Sequence, residues 1–270
     1  MPRIEDLQEV VILFDEQGTP TFAYGGDSCH FLGVGVAYNL SGENSMFERC
    51  STLFGLAKKK PLKNYQIAFS RAIEISELIP ALPMQVVVVS VDLSDQELQS
   101  VIQLYKNFGD YFREKERHVR KVPIAQILYR QVLVNTIFYS VTRYIECTRA
   151  GAHFLPFMDS WSIPEADQPI ILKEQIESLV KVVYKLFRRR IEFAATSLQQ
   201  LTSDSKRKRL VDVVASAVSR SFLRNTHERY SRKVLEIIMR NLRNQHHDGT
   251  KEIVSFLRDF MDGVARGTIR

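Results

Sequence analysis

Long hydrophobic runs are missing from this chain of 270 residues. No stretch reaches the roughly 20 apolar residues of a membrane-spanning helix. The opening Met1-Pro2-Arg3-Ile4-Glu5-Asp6 is acidic and mixed, unlike a signal peptide. Cysteine is scarce: Cys29, Cys50 and Cys147 are scattered and odd in number. That argues against a zinc-ligand pattern and a disulfide framework, and implies a reducing, cytoplasmic setting. No Gly-x-x-x-x-Gly-Lys phosphate loop and no dinucleotide fingerprint occurs. Ser160, Ser197 and Ser203 stand in no nucleophile–histidine–acid pattern. Internal repeats and low-complexity segments are also lacking.

What is present is the composition of a globular domain, 45% hydrophobic and 25% charged, with a net charge of +6. The excess positive charge is concentrated in Lys58-Lys59-Lys60 with Lys63, in Arg188-Arg189-Arg190 and in Lys206-Arg207-Lys208-Arg209. Any one block reads as a solvated surface. Three blocks, each beside an expected element end, favour a phosphate-binding face for nucleic acid. Charge alone does not separate DNA from RNA, or either from an acidic protein.

Val10-Val11-Ile12-Leu13-Phe14 predicts a buried strand over 10–15, with Gly18 ending it. The glycine-spaced run 30–38 predicts a second strand with close neighbours. The β-branched run Val86-Val87-Val88-Val89 predicts a third, buried on both faces. Short strands are expected at 152–158 and 191–197, and helices at 43–57, 65–79, 95–118, 124–149, 170–188, 206–223, 226–244 and 249–264. This order predicts an α/β protein with a mixed sheet of five strands, the first two antiparallel and the later ones parallel. The long helical pair at 95–149 reads as an insertion or an enlarged helical layer. His246-His247-Asp248 reads as an interhelical turn, and His153 as a buried strand histidine.

The candidate site begins at Asp15-Glu16-Gln17-Gly18. A strand that delivers a carboxylate to its own tip can hold a divalent cation, and in α/β sheets sites gather at the carboxyl ends of strands. Asp159 ends the expected fourth strand. If that strand lies next to the first and parallel to it, the tips are about 5 Å apart. Asp212 sits in the otherwise apolar, small-residue run Leu210-Val211-Asp212-Val213-Val214-Ala215-Ser216-Ala217-Val218. There it needs a partner or a metal; the alternatives are a partner at helical spacing, Arg209 or Ser216, or a first-turn charge favoured by the helix dipole. Glu16 either joins these acids or faces away, because strand residues alternate. Glu146 is a second-choice fourth acid.

On these pieces the chain resembles the domain-of-unknown-function 3800 family, which has a ribonuclease H-like fold. The matching pieces are Asp15-Glu16-Gln17-Gly18, the strand at 31–37, the strand ending in Asp159 and the helix around Asp212, over residues 10–223. Gln17 stands where that family usually has serine. Lys63 is a counterpart of a family lysine, whose companion glutamate has no counterpart here. The resemblance implies a ribonuclease H-like domain over 1–224 with a helical insertion at 95–149, and a C-terminal helical extension over 225–270. It implies hydrolysis of nucleic-acid phosphodiesters by two magnesium or manganese ions about 3.5–4 Å apart, held by Asp15, Asp159 and Asp212. Lys63 would contact the scissile phosphate and the three basic blocks the flanking backbone. A setting in bacterial defence or a mobile element follows from the same resemblance. The rival reading is a decayed module of that fold that binds nucleic acid or a protein, with the C-terminal helices serving oligomerisation.

Overall fold

The computed structural model describes residues 7–18, 30–57, 69–115, 124–158, 178, 181–189, 191–193, 199–202, 205–222, 236–237, 240, 242 and 246–266. Strand β1 (Gln8–Gln17) lies at the centre of the sheet. It pairs antiparallel with β2 (His30–Asn39), which pairs antiparallel with β3 (Gln85–Asp92). On its other side β1 pairs parallel with β4 (Ala152–Met158), which also pairs parallel with β5 (Ile191–Phe193) and β6 (Gln199–Gln200). The far edge is β7 (His246–Asp248), parallel to β3. Only β2 runs against the rest, so the carboxyl ends of the other strands share one edge.

The sheet has seven strands where five were expected. The additions, β6 and β7, are two and three residues long and polar. Elements that short show no period-2 apolar signal, so only pairing with a neighbour makes them strands. His246-His247-Asp248 is accordingly a strand and not the expected turn. It joins the segment beyond 225 to the same sheet. His153, on β4, is half-buried.

Helices cover both faces. On one lie α4 (Gln96–Lys115), α5 (Ile124–Thr148) and α7 (Thr250–Ala265), with α5 against β1, β2 and β3, and α4 against α7. Their core takes Val10, Ile12 and Phe14 from β1 with Val132, Ile137 and Val141 from α5. On the other face lie α1 (Glu43–Arg49), α2 (Ser51–Ala57), α3 (Phe69–Leu78) and α6 (Lys206–Ser219). That core takes Val11 and Leu13 from β1 with Leu210, Val213, Val214 and Ala217 from α6. Burying each of these Val, Leu, Ile and Phe side chains stabilises the fold by about 1.5–3 kcal/mol. The run 43–57, expected as one helix, breaks at Cys50, which is buried.

The alternate glycines of β2 have a visible use. Gly33 and Gly35 face α5, where a Cβ on Gly33 would stand 2.6 Å from Val132 Cγ1 and one on Gly35 2.9 Å from Thr136 Cγ2. The buried Thr136 and Ser140 hydroxyls donate to their own helix at Val132 O and Thr136 O. Their polarity is thereby satisfied locally, and α5 presses directly on the β2 backbone.

Candidate functional site

β1 alternates between the two cores and carries that alternation to its tip. Val11 and Leu13 belong to the α6 side, and Val10, Ile12 and Phe14 to the α5 side. Asp15 and Gln17 therefore continue the α6 side. The Gln17 side chain agrees, donating from Nε2 to Asp15 Oδ2 at 3.0 Å. Asp15 is 7% exposed. Glu16 faces the other way, where the Tyr129 hydroxyl of α5 donates to its Oε2 at 3.1 Å. Gly18 closes the tip with φ +92°, a conformation natural to glycine, and a Cβ there would stand 2.7 Å from His30 O.

Asp212 lies half-buried on α6, the helix that packs against β1 and β2. Asp15 and Asp212 thus belong to the same side of the sheet. β4 is adjacent and parallel to β1, and their register pairs Phe14 with Met158. In sequence, Asp15 and Asp159 each follow one residue later. Asp159 and Lys63 lie outside the described residues. Among the described residues, no group of three or more His, Cys, Asp or Glu could hold a metal ion.

Glu146 is not part of this edge. Its neighbour Cys147 contacts Gln85, the first residue of β3, and Tyr144 donates to Gln8, the first residue of β1. The C-terminal end of α5 therefore lies at the opposite edge of the sheet, roughly 23 Å along β1 from Asp15 at about 3.3 Å per residue. Glu146 is exposed and pairs with Arg143 at 3.6 Å.

The basic blocks divide. Lys58, Lys59, Lys60 and Arg190 lie outside the described residues. Arg188 is exposed, with φ 54°, and Arg189 is half-buried. In the first turn of α6 the cations are engaged within the fold. Arg207 donates to both carboxylate oxygens of Glu43, at 2.7 and 3.0 Å, and lies 4.5 Å over the Phe157 ring. Arg209 donates to Phe54 O at 3.3 Å and lies 5.0 Å over the Phe54 ring. Lys206 is exposed, 5.8 Å over Phe47, and Lys208 is half-buried. Cations at a helix N-terminus oppose its dipole; Glu43 and the aromatic faces offset that here.

Two further carboxylates lie at the same sheet edge: Asp92, not singled out from the sequence, and Asp248, read there as part of a turn. Asp92 ends β3 and accepts from Ser94 N and Oγ; Asp248 ends β7 and accepts from Thr250 N and Oγ1. Thr250 Oγ1 in turn accepts from Asp92 N, tying the two strand ends together. The repeated Asp-x-Ser/Thr spacing, a local turn and capping signal, was legible in both. Beside them His246 Nε2 lies 2.8 Å from Ser90 Oγ, and the Phe222 ring is 5.5 Å away. Burial, chiefly, pushes His246 below its usual value.

Neither a protein-family profile nor a curated protein matches the chain. Among solved structures, the chain is similar to one in the PCNA:RNase HII complex from Archaeoglobus fulgidus, at 13% identity, covering 98% of this chain and 92% of that one, with a TM-score of 0.31. At that score the likeness fixes neither fold nor activity. No described helix is long and apolar enough to cross a membrane.

At the β1 tip the Asp15 carboxyl offers oxygen donors, the type that magnesium and manganese take.

Proposed function

We propose that the protein is a divalent-metal-dependent nuclease of ribonuclease H-like fold that hydrolyses phosphodiester bonds of nucleic acid. The observation that carries this reading is the buried Asp15 carboxylate at the carboxyl end of the central strand, on the side covered by the helix bearing Asp212. The parallel β1–β4 pairing, whose chain continues into Asp159, supports it.

Asp15, Asp212 and Asp159 would hold magnesium or manganese. Bound there, the metal supplies Lewis-acid polarisation of the phosphate and a more acidic water. Asp15 would offer its carboxyl oxygens from a strand, which holds the donor in place without loop motion. Gln17 orients it by donating to Oδ2. Lys63 would contact the scissile phosphate. Of the described residues in the three basic blocks, Arg188 and Lys206 are the exposed ones and would meet a nucleic-acid backbone.

A second reading, a decayed module that binds nucleic acid or protein, is favoured by one observation. The Gln17 amide takes up an Asp15 oxygen that a metal would otherwise use. The test compares wild type with Asp15→Asn and Asp212→Asn on single- and double-stranded DNA and RNA, with magnesium and with manganese. Loss of metal-dependent cleavage in both variants, with unchanged circular dichroism, is expected. Full activity in both would refute the nuclease assignment.

A further inference from the structure

Glu16 and Asp15 are consecutive acids, yet they leave β1 on opposite sides. Asp15 shares the α6 side with Gln17, and Glu16 meets Tyr129 of α5. A carboxylate on the α5 side cannot share an ion with one on the α6 side unless the strand tip twists out of the sheet. The Tyr129 partner is itself fixed. It is 2% exposed, its ring meets Phe14 edge-on at 6.3 Å between centroids, and Phe31 lies 6.1 Å away. A hydroxyl held this firmly is an anchor for a half-buried carboxylate at a strand end.

We propose that Glu16 is a positioning residue: through Tyr129 it ties the tip of β1 to α5 and so holds Asp15 in its place on the other side. The tip is then fixed three ways. Glu16–Tyr129 holds the α5 side, Gln17–Asp15 orders the α6 side, and Gly18 turns the chain tightly against His30 O. The described β1–β4 register ends at Phe14, whereas pairing with β2 continues to Gln17. The chemistry also separates anchor from ligand. Glutamine in place of Glu16 keeps an amide oxygen that can accept from Tyr129, but loses the negative charge that strengthens binding to a hard cation.

The metal-binding half of the test rests on the proposed function; the exchange half does not. Backbone hydrogen–deuterium exchange over residues 15–18 and the Mn²⁺ dissociation constant by electron paramagnetic resonance are measured for wild type, Glu16→Gln, Glu16→Ala, Tyr129→Phe and Asp15→Asn. Glu16→Gln is expected to keep both values within about threefold of wild type. Glu16→Ala and Tyr129→Phe should speed exchange at 15–18 and weaken Mn²⁺ binding, each by about tenfold. Asp15→Asn should lose Mn²⁺ binding without faster exchange. If Glu16→Gln loses Mn²⁺ as completely as Asp15→Asn, Glu16 is a ligand and the proposal fails. Unchanged exchange in both Glu16→Ala and Tyr129→Phe also overturns it. If wild type binds no Mn²⁺, the metal reading fails, and the exchange arm alone decides whether Glu16 anchors the strand. Tyr129→Phe removes one oxygen from a packed ring, so it keeps the test open should Glu16→Ala not fold.

Discussion

Replacing Glu43 with alanine tests how α6 is held. Glu43 accepts from Arg207 Nε and Nη2 at 2.7 and 3.0 Å, and from the Tyr38 hydroxyl at 2.6 Å. The two charged side chains are 24% and 21% exposed. Breaking a fully buried ion pair costs about 3–5 kcal/mol, because the remaining charge stays buried, whereas an exposed pair contributes about 0–1 kcal/mol. Partial exposure places Glu43→Ala between these limits, at about 2–3 kcal/mol. Arg207→Ala removes the pair and the contact with Phe157, the latter about 0.5–1 kcal/mol. A double-mutant cycle in urea should return a coupling of about 1–2 kcal/mol. The pH dependence has a definite sign. Burial alone raises the Glu43 carboxyl, but hydrogen bonds from Arg207 and Tyr38 and the Arg207 charge outweigh it, leaving it below 4.5. Its contribution is therefore fully present above that value and lost as pH falls through the lowered one. Glu43→Gln should accordingly approach wild-type stability under acid. A coupling below about 0.3 kcal/mol, or a deficit that grows under acid, would refute the reasoning. Arg207 also lies five residues before Asp212, about 7.5 Å along the helix axis, so loosening this brace should weaken whatever Asp212 holds.

Gly35→Ala should destabilise by about 1–3 kcal/mol in urea through overpacking against α5, and Ser140→Ala should recover part of that loss. A Cβ on Gly55 of α2 meets nothing within 4 Å, so Gly55→Ala should stabilise by about 0.5–1 kcal/mol; equal effects at the two glycines would contradict the packing. His246 and His247 are both held below 6.5, chiefly by burial. The unfolded chain then takes up protons first, and stability should fall as pH drops below about 6.5. Melting temperatures at about pH 7.5 and about pH 5.5, either side of that value, check this, and His246→Gln should flatten the decline. A melting temperature unchanged or higher at the acidic pH would reject it.

Much of the architecture was legible in the chain because the signals were local and long. The Val86-Val87-Val88-Val89 run marked β3, and the apolar run ending at Asp15 marked β1. The glycine spacing of β2 announced a close neighbour, and α5 is that neighbour. Asp15 was readable as a strand-tip carboxylate. β6 and β7 were not readable, since two or three polar residues become strands only by pairing. Likewise, Lys206-Arg207-Lys208-Arg209 reads along the chain as a free basic face. The fold turns Arg207 onto Glu43, 164 residues away in sequence.

The α/β alternation, the central strands and the acid at the tip of β1 are legible along the chain, because period-2 runs and turn residues are properties of neighbouring residues. Which acids share a side is set by the folded arrangement. Pleating puts Asp15 with Gln17 under α6 and sends Glu16 to Tyr129. The course of α5 carries Glu146 to the far edge of the sheet. The physical reason is that a carboxylate's partners are set by strand register and helix placement, both of which depend on residues more than a hundred positions apart.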